Sequence, residues 1–282
     1  MIKTESENVF FKTPDNIYLH FKITPSVASK AAVIFVHGVG EHIERYDAIF
    51  NAFANQGYSC FGFDQRGFGL SEGERGHIDS FSEYVEDLAQ FIDAIVTRKT
   101  KTPVFLFGHS MGSIVVLSYA LRYASTLRGL LIFSCPLILD NWFSNVGEYA
   151  AIALSAIAPR LKTSTLINPQ DLSDDPSIIK AFRDDPLIVD KVSVNWLREF
   201  KLARENILLH AERIITPTLI CHGKEDRIAA IKGPKLLYEK LGSDDKSLIV
   251  YDALKHELLN HLPIEQLNVL TQTFGWLDRH CI

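Results

Sequence analysis

Gly108-His-Ser-Met-Gly112 sets a serine hydroxyl between two glycines, and that spacing has a chemical use. A serine that attacks a carbonyl carbon must stand clear of its own backbone. A sharp strand-to-helix turn achieves this, and glycine occupies the positions two before and two after because any side chain there would strike the strand or the helix. The flanks supply both elements. Residues 104–107 form a short apolar run after Pro103, read as a buried strand, and Met111–Tyr123 reads as an apolar helix. Ser110 is therefore the candidate nucleophile.

A serine hydroxyl is a weak nucleophile at neutral pH. It needs a base, and the base needs an acid that orients it. After a turn of this kind the two arrive in the order acid then histidine, each in a loop at the carboxyl end of a strand. Residues 218–222 read as a strand ending in Gly223-Lys-Glu-Asp-Arg227, and 247–251 as a strand leading to Asp252-Ala-Leu-Lys-His256. Of the ten histidines only His256 stands in the loop after the last strand. Asp226 is the candidate acid, with Glu225 and Asp252 as alternatives. His256 must be neutral to accept the serine proton. Charge developing on the substrate oxygen needs donors aimed at it. The backbone N–H of Met111 is one candidate, and that of Val39, in His37-Gly-Val-Gly40 after an early strand, is the other.

The surrounding pattern alternates strands with helices. Residues 8–23 read as a hairpin around Thr13-Pro-Asp-Asn16. Ala31–Val36 and Tyr58–Phe63 are continuous apolar runs, the signature of strands buried on both faces. Helical spacing covers 45–56, 81–96, 233–241 and 265–280, with Ser80 and Glu83 forming a capping box for the second of these. Residues 129–134 add a further strand. Between 137 and 214 the pattern is helical, with four prolines and no convincing strand. The resulting expectation is a mostly parallel sheet of about eight strands with helices on both faces. Residues 1–136 and 215–282 form this core, and 137–214 form an inserted helical cap.

Composition narrows the function classes. The 282 residues are 47% hydrophobic and carry a net charge of −5, with no Lys/Arg run, which argues against nucleic acid as a partner. Cys60, Cys135, Cys221 and Cys281 are scattered without C-x-x-C spacing, as in a reduced cytoplasmic protein. No H-x-x-x-H or H-E-x-x-H spacing occurs, so no metal is expected. Gly67-Phe-Gly follows a strand but continues Leu-Ser-Glu-Gly, which is not a dinucleotide fingerprint, and no cofactor is expected. The first residues lack a signal-peptide pattern and no apolar stretch could span a bilayer, which leaves peripheral membrane contact through the cap.

Taken together, the chain resembles the α/β-hydrolases, and within them the monoacylglycerol lipase and lysophospholipase group. The resemblance runs almost end to end. It rests on His37-Gly-Val-Gly-Glu-His42 with Arg45-Tyr46, Asp64-Gln-Arg-Gly-Phe-Gly-Leu-Ser-Glu-Gly73 and Gly108-His-Ser-Met-Gly112. It continues through Asp184-Asp-Pro-Leu-Ile188, His222-Gly-Lys-Glu-Asp-Arg227 and Leu254-Lys-His256. It implies the α/β-hydrolase fold, a cap over an acyl tunnel, and a polar headgroup pocket lined by Glu41, Arg45 and His109. The alternative for those three is a set of local salt bridges. Val146, Tyr149, Ala150, Ala153, Leu154 and Ile157 give 145–158 an apolar stripe, which would face the acyl chain or the core. Phe182 and Leu259 stand where the family carries tyrosine and histidine, which weakens any preference for glycerol. A carboxylesterase or thioesterase acting on small esters is the rival activity, and a non-catalytic binding protein of the same fold the rival class.

Overall fold

The structure, a computed structural model, describes residues 2–5, 8–123, 127–139, 151–165 and 167–281. Its sheet is built on the apolar runs. Ala31–Val36 (β4) is wholly buried, and its side chains divide by alternation. Ala32, Ile34 and Val36 enter the core on one face, and Ala31, Val33 and Phe35 the core on the other. Val104–His109 (β6) repeats the division, with Leu106 on the first face and Phe105 and Phe107 on the second. Strands so placed must be covered twice. Helices Ser82–Phe91, Met111–Tyr123 and Val194–His210 cover the first face, and Asp47–Asn55 and Pro263–His280 the second.

Among the described residues the main sheet has nine strands. In spatial order they are Ile2–Glu5 (β1), Asn8–Lys12 (β2), Tyr18–Thr24 (β3), Tyr58–Phe63 (β5), β4, β6, Gly129–Phe133 (β7), Thr218–Gly223 (β10) and Lys246–Tyr251 (β11). The first three form an antiparallel meander, and the other six run parallel. The ninth strand is β1, a polar N-terminal segment that carries no strand pattern and is recruited by pairing Ile2 with Phe11.

The inserted segment differs from expectation in two ways. It contains two short strands, Lys162–Ser164 (β8) and Lys191–Ser193 (β9), paired antiparallel. Three residues are too few for alternation to register, which is why the sequence shows only helix there. The apolar stripe expected at 145–158 falls partly on 140–150, outside the described residues. In the rest, Ala151 and Ser155 are buried one turn apart, while Leu154 is 37% and Ile157 85% exposed. The segment thus buries Ala151 and Ser155 and leaves Leu154 and Ile157 facing outward. In the core, helix 81–96 divides into an α-helical part, Ser82–Phe91, and a π-helical turn, Ile92–Val96.

Two loops at the carboxyl ends of β4 and β5 are locked together by Asp64. Its Oδ1 accepts the Ile43 N–H at 2.7 Å, and its Oδ2 accepts the Leu70 N–H at 2.8 Å and His20 Nδ1–H at 2.9 Å. Burial would raise this carboxyl, but the hydrogen bonds from His20 and the Ile43 N–H hold it below the usual carboxylate range. His37 adds a second tie: Nδ1–H donates to the Gly38 carbonyl, and Nε2 accepts the Gln65 N–H at 2.9 Å. Asp64→Asn would point an amide N–H at one of these donors. It should lower stability by about 3 kcal/mol, read as a fall in the urea midpoint with an unchanged slope.

Candidate active site

Ser110 sits between β6 and the helix Met111–Tyr123 with φ of 51°, in the left-handed region that a residue bearing a side chain rarely adopts. The crowding around the turn explains why. A Cβ on Gly112 would lie 2.0 Å from the Val36 carbonyl oxygen, and one on Gly108 would lie 2.6 Å from the Gly112 carbonyl oxygen. The chain can therefore pass from strand to helix only over glycines, in one strained residue. Local bonds hold the strain. Ser110 N–H donates to the Phe133 carbonyl at 3.0 Å, and Ser113 donates to the Ser110 carbonyl through both N–H and Oγ–H.

His256 hangs from the same strand end. Ser134, the residue after Phe133, is also left-handed, with φ of 48°, and its Oγ–H donates to the His256 carbonyl at 2.6 Å. The imidazole is 3% exposed, and its Nδ1–H donates to Asp226 Oδ2 at 2.7 Å. Asp226 Oδ1 accepts the N–H groups of Ile228 and Ala229 at 2.8 and 2.9 Å. Burial would raise the Asp226 carboxyl, but the hydrogen bonds from His256 and the Ala229 N–H hold it below its ordinary value. An ionised Asp226 fixes the proton of His256 on Nδ1 and leaves Nε2 as the basic nitrogen. Glu225 is exposed, and Asp252 is exposed and paired with Lys224 at 3.0 Å, so neither competes for His256.

His222 backs the acid. Its Nε2–H donates to the Ala229 carbonyl at 3.0 Å, so the residue whose N–H serves Asp226 is itself tethered. Burial pushes this histidine's pKa down, and it remains neutral. Beside the serine, Val39 follows the bonded Gly38 and Met111 opens a helix, where the first N–H groups lack intrahelical acceptors. Among the described residues, neither N–H donates a backbone hydrogen bond. The set can therefore supply a nucleophile, a base with a fixed tautomer, and two donors for an oxyanion.

Glu41, Arg45 and His109 lie against this set as a closed ionic cluster. Glu41 Oε1 accepts from Gly38 N–H, Tyr46 O–H and His109 Nδ1–H, and Oε2 accepts from Arg45 at 2.9 Å. Burial would raise the Glu41 carboxyl, but the His109 hydrogen bond and the charges of His109 and Arg45 hold it far below the carboxylate range. Arg45 also forks onto Glu257 at 2.8 and 3.0 Å and stacks over Phe182, its guanidinium carbon 4.9 Å from the ring centre. Phe182 packs with Leu172 and Ile228, and Leu259 is buried in the core on the Phe107 face. Sequence reasoning missed Glu257. The available signal was an acid set directly against Leu258 and Leu259, which burial obliges to find a cation.

The inserted segment meets the site directly. Glu257 N–H donates to the Leu172 carbonyl at 2.9 Å, and Val189 N–H to the Gly40 carbonyl at 2.9 Å. Lys255 Nζ donates to the Gln170 carbonyl at 2.9 Å and pairs with Asp174 at 2.6 Å. No helix among the described residues is long and apolar enough to cross a membrane.

Comparison with known proteins agrees with this architecture. The family described as Hydrolase_4, serine aminopeptidase S33, matches residues 27–263. A monoglyceride lipase of Rattus norvegicus is 32% identical over 257 residues, 90% of this chain and 84% of that one. A monoacylglycerol lipase of Mycolicibacterium smegmatis is 29% identical over 258 residues, 91% of each. The crystal structure of a monoacylglycerol lipase from Paleococcus ferrophilus superposes with a TM-score of 0.85 at 28% identity, covering 93% of this chain and 99% of that one. The match spans sheet, elbow and inserted segment alike, and on it the chain belongs to the Hydrolase_4 family of α/β-hydrolases, among the relatives of the monoglyceride lipases.

Proposed function

We propose that this protein is a serine hydrolase that cleaves carboxylic esters of single-chain lipids, monoacylglycerols or lysophospholipids, through an acyl-enzyme on Ser110. The observation that carries this reading is the 2.7 Å bond from His256 Nδ1–H to Asp226, in a loop tied to the strand end that also holds Ser110. In the first half-reaction His256 Nε2 takes the Ser110 proton as Oγ bonds to the acyl carbon. The carbonyl oxygen becomes an oxyanion between the N–H groups of Val39 and Met111. The carbon–oxygen bond to the alcohol then breaks, and His256 returns the proton to the leaving alkoxide. Water repeats the sequence on the acyl-enzyme and releases the acid.

The lipid preference draws on the relatives described above and on the inserted segment, read as a lid over residues 137–214. Leu154, Ile157 and Leu161 present an exposed apolar surface there, the part of the lid suited to resting on a lipid layer. A second reading, a carboxylesterase or thioesterase acting on small esters, is favoured by one observation. Glu41, Arg45 and His109 are bonded to one another and to Glu257, and the buried Phe182 and Leu259 offer a headgroup no hydrogen bond.

Two experiments test these statements. Ser110→Ala should abolish labelling by a fluorophosphonate and lower kcat by at least ~10³-fold, and Asp226→Asn should lower kcat by about 10³- to 10⁴-fold because the amide stabilises the wrong tautomer. Glu225→Gln and Asp252→Asn should stay close to wild type. Substrate class is read from monoacylglycerols and lysophospholipids of graded chain length beside short p-nitrophenyl esters. The specificity constant should climb with acyl length, by up to about 0.8 kcal/mol of binding per buried CH₂. A flat profile with acetyl esters best would select the small-ester reading.

A further inference from the structure

His109 stands one residue before the proposed nucleophile and is 7% exposed. Nδ1 lies 2.9 Å from Glu41 Oε1, and Nε2 lies 3.3 Å from the main-chain carbonyl oxygen of His256. Carboxylate and carbonyl oxygens only accept hydrogen bonds. A neutral imidazole has one N–H and would satisfy one of the two, whereas an imidazolium satisfies both.

The surrounding charges point the same way. From the loop after β4 the ring is faced by Glu41, with Arg45, Tyr46 and His37 grouped around that carboxylate. From the loop after β11 it is faced by His256 and Glu257, and on its own turn by Ser110. His37 is held neutral, with Nε2 accepting the Gln65 N–H, and burial pushes the Tyr46 hydroxyl far above its ordinary value. Glu41 and Glu257 are then the two anions of the cluster, and Arg45 is a single cation shared between them. Without a charge on His109 this buried cluster is left one negative charge in excess, and with it the charges cancel. Burial alone would lower the His109 pKa, but the Glu41 hydrogen bond and the charges of Glu41 and Glu257 raise it above the ordinary imidazole value.

We propose that His109 is a positioning residue that works as a buried imidazolium, tying the oxyanion loop, through Glu41, to the main chain of the catalytic base, and that loss of its proton releases the tie. The proposal rests on the reading of Ser110, His256 and Asp226 given above. Glu41 transmits it, because the same carboxylate oxygen that His109 holds also accepts the Gly38 N–H. The sign follows from the raised value. Below the ordinary imidazole pKa, ~6.5, the ring is charged in folded and unfolded chains alike and its stabilisation is fully present. That stabilisation and the tie are lost as pH rises through the folded-state value. Activity and melting temperature should both fall on the alkaline side.

Proton-detected nitrogen-15 spectra of the histidine-labelled full chain decide the protonation state, with ring signals assigned through correlation to the backbone. Both ring nitrogens of His109 should carry protons at neutral pH, and one should lose its proton on the alkaline side. A neutral ring at pH 7 overturns the proposal, and that result needs no variant. Kinetics decide the role. His109→Gln keeps N–H donors but neither charge nor titration. It should lower kcat by about 10- to 100-fold, leave KM within about twofold, and abolish the alkaline fall while sparing the acid limb. An alkaline fall unchanged in His109→Gln overturns the positioning role. Absence of fluorophosphonate labelling at wild-type Ser110 would instead strike the reaction on which the proposal rests, leaving the nitrogen spectra to report on His109 itself.

Discussion

The contact on which the site depends is between a glycine and a carbonyl oxygen. A methyl group at Gly112 would sit 2.0 Å from the Val36 oxygen, so the helix Met111–Tyr123 can begin hard against the end of β4 only because residue 112 has no side chain. That closeness leaves a single residue to reverse the chain, and Ser110 takes a left-handed conformation to do it. The same closeness sets the first turn of the helix, with the positive end of its dipole, beside the loop that carries Val39. The strained Ser110 and the placing of the Met111 N–H beside the Val39 loop are thus consequences of one packing constraint.

Around that constraint, buried carboxylates organise the loops, and they do it by one pattern. Asp64, Glu41 and Asp226 each accept at least one backbone N–H and one histidine N–H. A carboxylate removed from water must replace several hydrogen bonds, and the ready donors at strand ends are the amides of the loops that begin there. Each carboxylate therefore pins a loop while satisfying itself, and each histidine bonded to it takes a defined tautomer or charge. Asp64 pins Ile43 to Leu70, Glu41 pins Gly38 to Arg45, and Asp226 pins its own loop to His256. The rigidity that acyl transfer requires comes from these charges as much as from the apolar core.

Much of this was legible in the sequence because local pattern carried it. Ala31–Val36 and Tyr58–Phe63 are strands with the bounds their apolar runs suggest, since burial on both faces leaves no room for a polar residue inside them. Turn chemistry and chain order picked out Ser110, Asp226 and His256, and the structure brings Asp226 within 2.7 Å of His256. What was not legible depended on partners far away in the chain. Glu257 meets Arg45 across 212 positions, and neither has a local pattern that names the other. The strands Lys162–Ser164 and Lys191–Ser193 depend on each other and on the distant loop 75–77, where the Gly76 carbonyl accepts the Ser193 N–H. The outward turn of Leu154 and Ile157 illustrates a different limit: an apolar stripe fixes that a helix has two faces, not which of them meets the protein.

The inserted segment is bonded to the loops that carry the site and not merely laid over them. Its backbone reaches the oxyanion loop at Gly40 through Val189 and the histidine loop at Glu257 through Leu172, each by a bond of 2.9 Å. Lys255, the residue before His256, spends its ammonium on the Gln170 carbonyl and Asp174 of the same segment. A displacement of 169–174 or of 184–189 therefore pulls directly on main chain within two residues of a group the reaction uses. Glu257 closes the circuit, because its N–H belongs to the segment's bond and its carboxylate to Arg45, and Arg45 returns to Glu41 beside Gly38. The seating of the segment and the loops that carry Val39 and His256 are thus coupled through the same short set of hydrogen bonds, so a change in how the segment sits must also change the geometry of those loops.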